Sequence, residues 1–197
     1  GGNYQNAAAV GRYRFADINN DGKITADDEQ MLGDPHPDFT SGLNLGLQYK
    51  NFDFNVFLYG SQGNDIWASY KRYLDFYPFL EGAKSHNALY NSWTPENRNA
   101  LLPRQENSQN FSSSDANTNY YVEDGSYLRV QQIMLGYSLP SSLIEKIGAS
   151  KLRIYAQASN PFTFTGYRGL DPQVPGGVDT ATYASYRQFQ MGLNFTF

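Results

Sequence analysis

Phe189, Met191, Leu193, Phe195 and Phe197 alternate without a break against Gln188, Gln190, Gly192, Asn194 and Thr196. A period of two gives a strand with one apolar and one polar face. Its length suits a tilted membrane-crossing strand, about 9–11 residues. A soluble sandwich can hold such a strand as well. On this segment alone, a transmembrane barrel and a soluble β-domain both stay open.

Four further segments carry strand patterns. Leu43 to Tyr49 sets Leu43, Leu45, Leu47 and Tyr49 against Asn44, Gly46 and Gln48. Lys50-Asn51 then makes a tight turn. Phe52 to Tyr59 follows, with Phe52, Phe54, Val56 and Leu58 opposite Asp53 and Asn55, so the pair reads as a hairpin. A third strand is expected over Tyr120 to Leu139. Its apolar phase switches from Leu128/Val130 to Ile133/Leu135/Tyr137, which predicts a β-bulge at Gln131-Gln132. Leu152, Ile154, Ala156 and Ala158 mark a fourth strand against Lys151, Arg153 and Gln157. The terminal strand is the fifth.

The connections are unequal. Lys50-Asn51 is very short. Pro140 to Ser150 is compact, with a helical turn starting at Pro140, a shared face of Leu143, Ile144 and Ile147, and a stop at Gly148. Gly60 to Asn119 is long and irregular, and Asn160 to Ser185 is of intermediate length. Bacterial barrels show this alternation of short periplasmic turns and long outer loops. A compact soluble domain rarely holds a loop of such length. If Phe197 ends at the periplasmic rim, parity puts both short connections on that side. Both long ones, and the chain before Leu43, then lie on the outer side. Five strands cannot close a barrel, so the expectation is a fragment whose remaining strands lie upstream.

Composition supports an all-β protein with many turns and aromatic girdles: charged residues are few, while Gly, Tyr and Phe are abundant. Net charge is −4 and no basic block occurs, which argues against nucleic acid as a partner. Cysteine is absent, removing thiol catalysis, disulfides and zinc–thiolate sites. No apolar run is long enough for a transmembrane helix. Barrel strands hide from hydropathy because half their residues face a polar lumen. The opening Gly1-Gly2-Asn3-Tyr4 has no charged-then-apolar leader, which fits the fragment expectation.

The sharpest chemical signal is Asp17-Ile18-Asn19-Asn20-Asp21-Gly22-Lys23-Ile24-Thr25-Ala26-Asp27-Asp28. It matches a calcium loop, with oxygen side chains at positions 1 (Asp17), 3 (Asn19) and 5 (Asp21) and Gly22 at the sharp bend. Lys23 would offer its backbone carbonyl, and Thr25 would act directly or through water. Asp28 falls at position 12, where helical EF-hands have Glu; the shorter Asp resembles dockerin-type loops. Hard oxygen donors in flexible number favour Ca²⁺, in a structural role. An Asp/Asn/Gly-rich turn without metal is the plainer alternative.

Other candidates are weaker. His36 and His86 read as surface histidines. Asp27-Asp28-Glu29 and Glu123-Asp124 form no glycosidase dyad, and no phosphate loop, nucleophile elbow or metalloprotease motif occurs. A non-enzyme is expected. In the long loop, Ile66, Trp67, Tyr70, Tyr73, Leu74 and Tyr77 recur at helical spacing and predict an amphipathic helix. Trp67, Tyr70, Tyr73 and Trp93 are candidates for substrate or partner contact, since aromatic faces stack on sugars and anchor interfaces. Packing of the loop onto itself is the competing reading.

Several blocks together resemble SusC/RagA-like TonB-dependent transporters of Bacteroidetes outer membranes. They are Asp17 to Ile24, Trp93-Thr94-Pro95-Glu96-Asn97, Asp124-Gly125-Ser126-Tyr127-Leu128-Arg129-Val130, Leu135-Gly136-Tyr137-Ser138-Leu139-Pro140, Gly166-Tyr167-Arg168-Gly169-Leu170-Asp171-Pro172, and the aromatic terminal strand. The resemblance implies that residues 1–197 form the C-terminal part of a plugged barrel of about 22 strands. It further implies import of glycan or peptide fragments with a SusD-like surface lipoprotein, energised by TonB through a region outside this chain. Apolar faces would meet outer-membrane lipid, while Asn44, Gln48, Asn55, Gln188, Gln190 and Asn194 would face the lumen. The alternative is a soluble calcium-stabilised β-domain that binds carbohydrate; an adhesin-like structural domain comes third.

Overall fold

A computed structural model describes residues 4–79, 82–144 and 148–197. Eleven named elements follow along the chain. They are β1 (Phe39–Tyr49), β2 (Phe52–Gln62), β3 (Asp65–Ala68), α1 (Tyr70–Asp75), α2 (His86–Asn91), β4 (Val122–Asp124), β5 (Tyr127–Ser138), α3 (Ser141–Ile144), β6 (Lys151–Thr165), β7 (Val178–Asp179) and β8 (Gln188–Thr196). Among the described residues no helix is long and apolar enough to cross a membrane.

The chain divides into two compact units. The first is dominated by one sheet in the order β1-β2-β5-β6-β8, with every neighbouring pair antiparallel. The expected hairpin turns through Lys50, at φ 53. The register aligns the apolar residues into rows that cross the whole sheet. Leu45, Val56, Ile133, Ala158 and Phe189 form one such row, and Leu47, Phe54, Leu135, Ala156 and Met191 the next. These rows lie open: Leu47, Phe189 and Met191 are 68%, 76% and 83% exposed. The opposite face carries Gly46, Asn55, Met134, Gln157 and Gln190, and above them Asn44, Phe57, Gln132, Ser159 and Gln188. All six residues expected on the polar face share it.

The predicted bulge is present. Val130 pairs with Leu58 and Gln132 with Phe57, leaving Gln131 as the extra residue. One inserted residue restores the phase, so Leu128 and Val130 join Ile133 and Leu135 on the apolar face. β6 absorbs its own irregularity at Asn160-Pro161, between the Ser159–Gln132 and Phe162–Val130 pairs, with Asn160 at φ 51. The strand therefore continues to Thr165, past the end that its Leu152–Ala158 alternation marks.

Four expectations need correction, two of them on element boundaries. The third strand does not run unbroken from Tyr120: Asn119–Tyr121 is a 3₁₀ turn, and β4 breaks from β5 at Gly125-Ser126. Asp124 Oδ1 accepts from the Ser126 amide, making a local turn. A Cβ on Gly125 would lie 2.4 Å from the Asn64 side chain, so the backbone passes where only glycine fits. In the Pro140–Ser150 connection, Ile144 is buried but Leu143 is exposed, so they do not share a face; Ile147 lies outside the described residues. The helix expected from Ile66 begins only at Tyr70, because Ile66 and Trp67 belong to β3.

The long connection is not irregular. Residues up to 33, 67–123 and 178–181 make the second unit. Its core is Phe76, Ala88, Leu102 and Tyr121, with Tyr13, Trp67, Phe79 and Tyr120 packed against it. Arg12 and Arg104 both bond Glu106, which also accepts from Asn110 Nδ2 at 2.8 Å and so ties the N-terminal segment to the 104–110 stretch. Lys71 and Glu123 form an ion pair, each nearly buried.

Candidate functional site

Three features hold the chemistry: the polar sheet face, the segment folded over its upper end, and the acidic loop at residues 17–28. Their side chains are set by the register and turn geometry above.

The polar face carries the amides Asn44, Gln48, Asn55, Gln132, Gln157, Gln188, Gln190 and Asn194 among glycines, hydroxyls and a few larger side chains. Asn55 Nδ2 donates to Asn44 Oδ1 at 2.9 Å across β1 and β2. Below the bulge an ion pair interrupts it. Arg153 of β6 donates to both carboxylate oxygens of Asp53 on β2, at 2.9 and 2.5 Å. The two strands are not neighbours; β5 lies between them, and the pair passes over Gly136. A Cβ at Gly136 would lie 2.4 Å from both Arg153 Nη2 and Asp53 Oδ1. The glycine is the space the bidentate pair occupies. Gly192 plays the same part for the Tyr155 ring.

Beyond the bulge, Arg129 stands on the same polar face, opposite Tyr59 and Thr163. Its guanidinium makes four hydrogen bonds: Nε donates to Thr163 Oγ1 at 3.0 Å, Nη1 to Gln173 Oε1 at 3.0 Å and Ser185 Oγ at 3.3 Å, and Nη2 to Asp171 Oδ1 at 2.5 Å. Asp171 also accepts from the Gln173 and Ser185 amides, at 2.9 and 2.8 Å. Burial pushes the Asp171 carboxyl up, but Arg129 and the two amides outweigh it, and the group sits below the usual carboxylate range. Arg129 is 2% exposed. Two blocks far apart in sequence, Asp124–Val130 and Gly166–Pro172, thus meet in one ion pair. Sequence reasoning quoted both residues without giving either a role. The available signal was an arginine at a polar-phase position in a strand with no other charged residue.

The acidic loop adopts the turns its spacing calls for. Asp17 accepts from the Asp21 and Gly22 amides at 3.2 and 2.9 Å, Asn19 from the Asp21 amide at 2.9 Å, and Asp21 from the Lys23 amide at 2.8 Å. Gly22 lies at φ 80, the left-handed region that favours glycine. Asp28 accepts from Ile18 and Thr25, closing a capping box with Thr25 over Ala26–Asp28. Those amides hold the Asp28 carboxyl below its ordinary value. Among the described residues no three Asp, Glu or His side chains gather closely enough to hold a metal. A carboxylate oxygen that accepts one amide hydrogen still has a second lone pair, so the donor set remains compatible with a cation. A cleft of about 460 Å³ lined by Tyr4, Arg14, Phe15, Ala16, Asp17 and Asn20 borders the loop.

The aromatic candidates do not form one surface. Trp67 stacks on Tyr121 at 5.1 Å and packs against the core. Trp93 lies so close over Gly11 that a Cβ there would be 2.5 Å from its ring. Tyr70 opens α1, half-buried. Tyr73 is exposed, edge-on to Phe79 at 6.0 Å. His36 is exposed, and His86 starts α2 beside Tyr90.

No family model matches the chain. It is 36% identical to TonB-dependent receptor P3 of Formosa agariphila over its whole length, covering 21% of that receptor. It is 31% identical to TonB-dependent receptor SusC of Bacteroides thetaiotaomicron, over 93% of this chain and 17% of SusC. Among solved structures, the RagAB peptide transporter matches 89% of this chain with a TM-score of 0.72 at 26% identity, again over 19% of that chain. The chain spans about a fifth of the length of these relatives.

Proposed function

We infer, for a chain homologous throughout to one portion of the TonB-dependent receptors of the SusC and RagA type, that it supplies the C-terminal strands of an outer-membrane import barrel. The observation that carries this is the sheet itself. Among the described residues its edges, β1 and β8, have no further strand partner, and its apolar face lies open across all five strands. In water such a face and such edges invite association. In a closed barrel the edges are paired and the apolar face meets lipid. The amide face then lines the hydrated path of a large hydrophilic solute. Glycan or peptide fragments suit that wall. A SusD-like lipoprotein outside and TonB inside, acting through a plug beyond these residues, complete the import cycle. The role is transport rather than catalysis. The exposed apolar rows weigh against a soluble carbohydrate-binding domain. Fractionation tests the reading: the full-length protein should sediment with outer membranes and need detergent for release. A folded, monodisperse 197-residue product in plain buffer would overturn it.

For the acidic loop we propose a structural Ca²⁺ held by Asp17, Asn19, Asp21, Thr25, Asp28 and the Lys23 carbonyl. The preformed turns and the Gly22 bend support it. Chelation should lower the thermal midpoint of the receptor, and added Ca²⁺ should restore it. A midpoint indifferent to chelator sinks the metal.

A further inference from the structure

We propose that Arg129 is a clasp that draws the connection between β6 and β8 inward over the polar face, making a fixed constriction at the outer mouth of the barrel. The inference rests on the barrel reading above. Its ground is a contrast along one face. Below the bulge, the amide and hydroxyl side chains on that face are open or half-open: Asn44, Gln48 and Gln190 are exposed, and Gln132 and Ser159 partly so. Above it, Arg129 and Tyr127 on the same face are buried, at 2% and 5% exposure. Its ladder partners Tyr59 and Thr163 rise from the same face and flank the Arg129 stem, with Thr163 Oγ1 accepting from Nε, so they do not supply what lies beyond the guanidinium tip. The cover is the connection itself. Asp171 and Gln173 come from its outgoing limb and Ser185 from its returning limb, and one guanidinium holds all three.

The chemistry of the hold is specific. A planar guanidinium offers five N–H donors in a fixed fork, and here they reach four side chains. Asp171 is bound twice more by amides of both limbs, so the limbs are joined to each other as well as to the wall. Removing the Asp171 charge leaves the buried Arg129 guanidinium without its anionic partner, and removing Arg129 unties both limbs from the wall, so either change releases the connection. Arg129 is thus a positioning residue: it acts on solutes through the segment it holds, and the connection decides what size of solute reaches the amide wall below.

The stretch has no cysteine, so an introduced thiol is its sole labelling site. In the full-length receptor on intact cells, Ser159→Cys reports on the polar face just below the clasp, and a bulky hydrophilic maleimide is the probe. Labelling should be slow in the otherwise unchanged receptor. Arg129→Ala or Asp171→Asn should speed it by about tenfold or more, with the folded amount unchanged by heat-modifiable migration. Unchanged labelling of a folded variant overturns the clasp. If neither variant assembles, hydrogen exchange of the unsubstituted receptor decides: the Gln173 and Ser185 amides should exchange slowly, and fast exchange there overturns the proposal. Phe189→Cys, on the apolar face, separates this from the barrel reading. Shielding of Phe189→Cys from the hydrophilic probe keeps the barrel whatever the clasp does. Labelling of Phe189→Cys as fast as in the denatured receptor refutes the barrel.

Discussion

At the scale of single residues, the polar face is governed by a position with no side chain. Gly136 is empty so that Arg153 and Asp53 can meet across β5. We expect Gly136→Ala to cost about 1–3 kcal/mol through overpacking, read from denaturant unfolding of the receptor in detergent micelles. The alternation showed that Gly136 faces the polar side. It could not show why glycine stands there, because the reason lies in two charges 100 residues apart. Glu106 gives a second prediction. Arg12 above all, then Arg104 and Asn110, hold its carboxyl down to about 2 against burial, from an ordinary 4.5. A lowered folded value means the contribution is complete above the ordinary value and fades as pH falls towards 2. Unfolding measured between pH 5 and pH 2 should therefore show an acid-dependent loss that Glu106→Gln abolishes. The turns of the acidic loop were legible, since Asp17, Asn19 and Asp21 each reach an amide a few residues on, while Asp28 reaches back to Ile18 and Thr25. Arg129 and Asp171 were legible as residues but not as a pair.

At the scale of elements, period-two patterning placed the long strands and the hairpin turn, and the phase switch in β5 located its bulge. What it missed were the ends. β6 runs on through Asn160-Pro161, because a left-handed residue and an edge-tolerated proline are accommodated as a bulge. Ile66 and Trp67 read as helical because aromatic spacing is a short-range signal, whereas their strand pairs with distant Val178 and Asp179. The β5 bulge makes a sharp test. Deleting Gln131 leaves Leu128, Val130, Ile133 and Leu135 in unbroken alternation, so every apolar residue keeps its face. Deleting Met134 puts Ile133 beside Leu135 and forces one of them onto the polar face. We expect the first variant to assemble with a modest loss of yield and the second to fail, scored by heat-modifiable migration from outer membranes.

At the scale of the whole molecule, the two faces of the sheet should respond oppositely to the same charge. Leu45→Arg lies in an apolar row and should destabilise the protein in lipid vesicles by about 2–4 kcal/mol if near the midplane. Asn55→Arg, on the hydrated face, should have little effect. Equal effects would contradict the lipid assignment. The second unit was the part least visible in the sequence. Its core joins residues 13, 67, 76, 88, 102 and 121, contacts that no local period announces. A small sheet orders the strands β4-β3-β7. β3 starts just after β2 ends, β4 stops just before β5 begins, and the Gly125 amide donates to the Asn64 carbonyl at 2.8 Å. This has a kinetic consequence. Pairing β2 with β5 would otherwise require closing the whole excursion between them, an entropic toll that grows with loop length. Once β3 and β4 are paired, the excursion is already closed and the ends of β2 and β5 stand side by side. The central ladder can then zip from that end towards the short turns, with the bulge as a late register check rather than an early one.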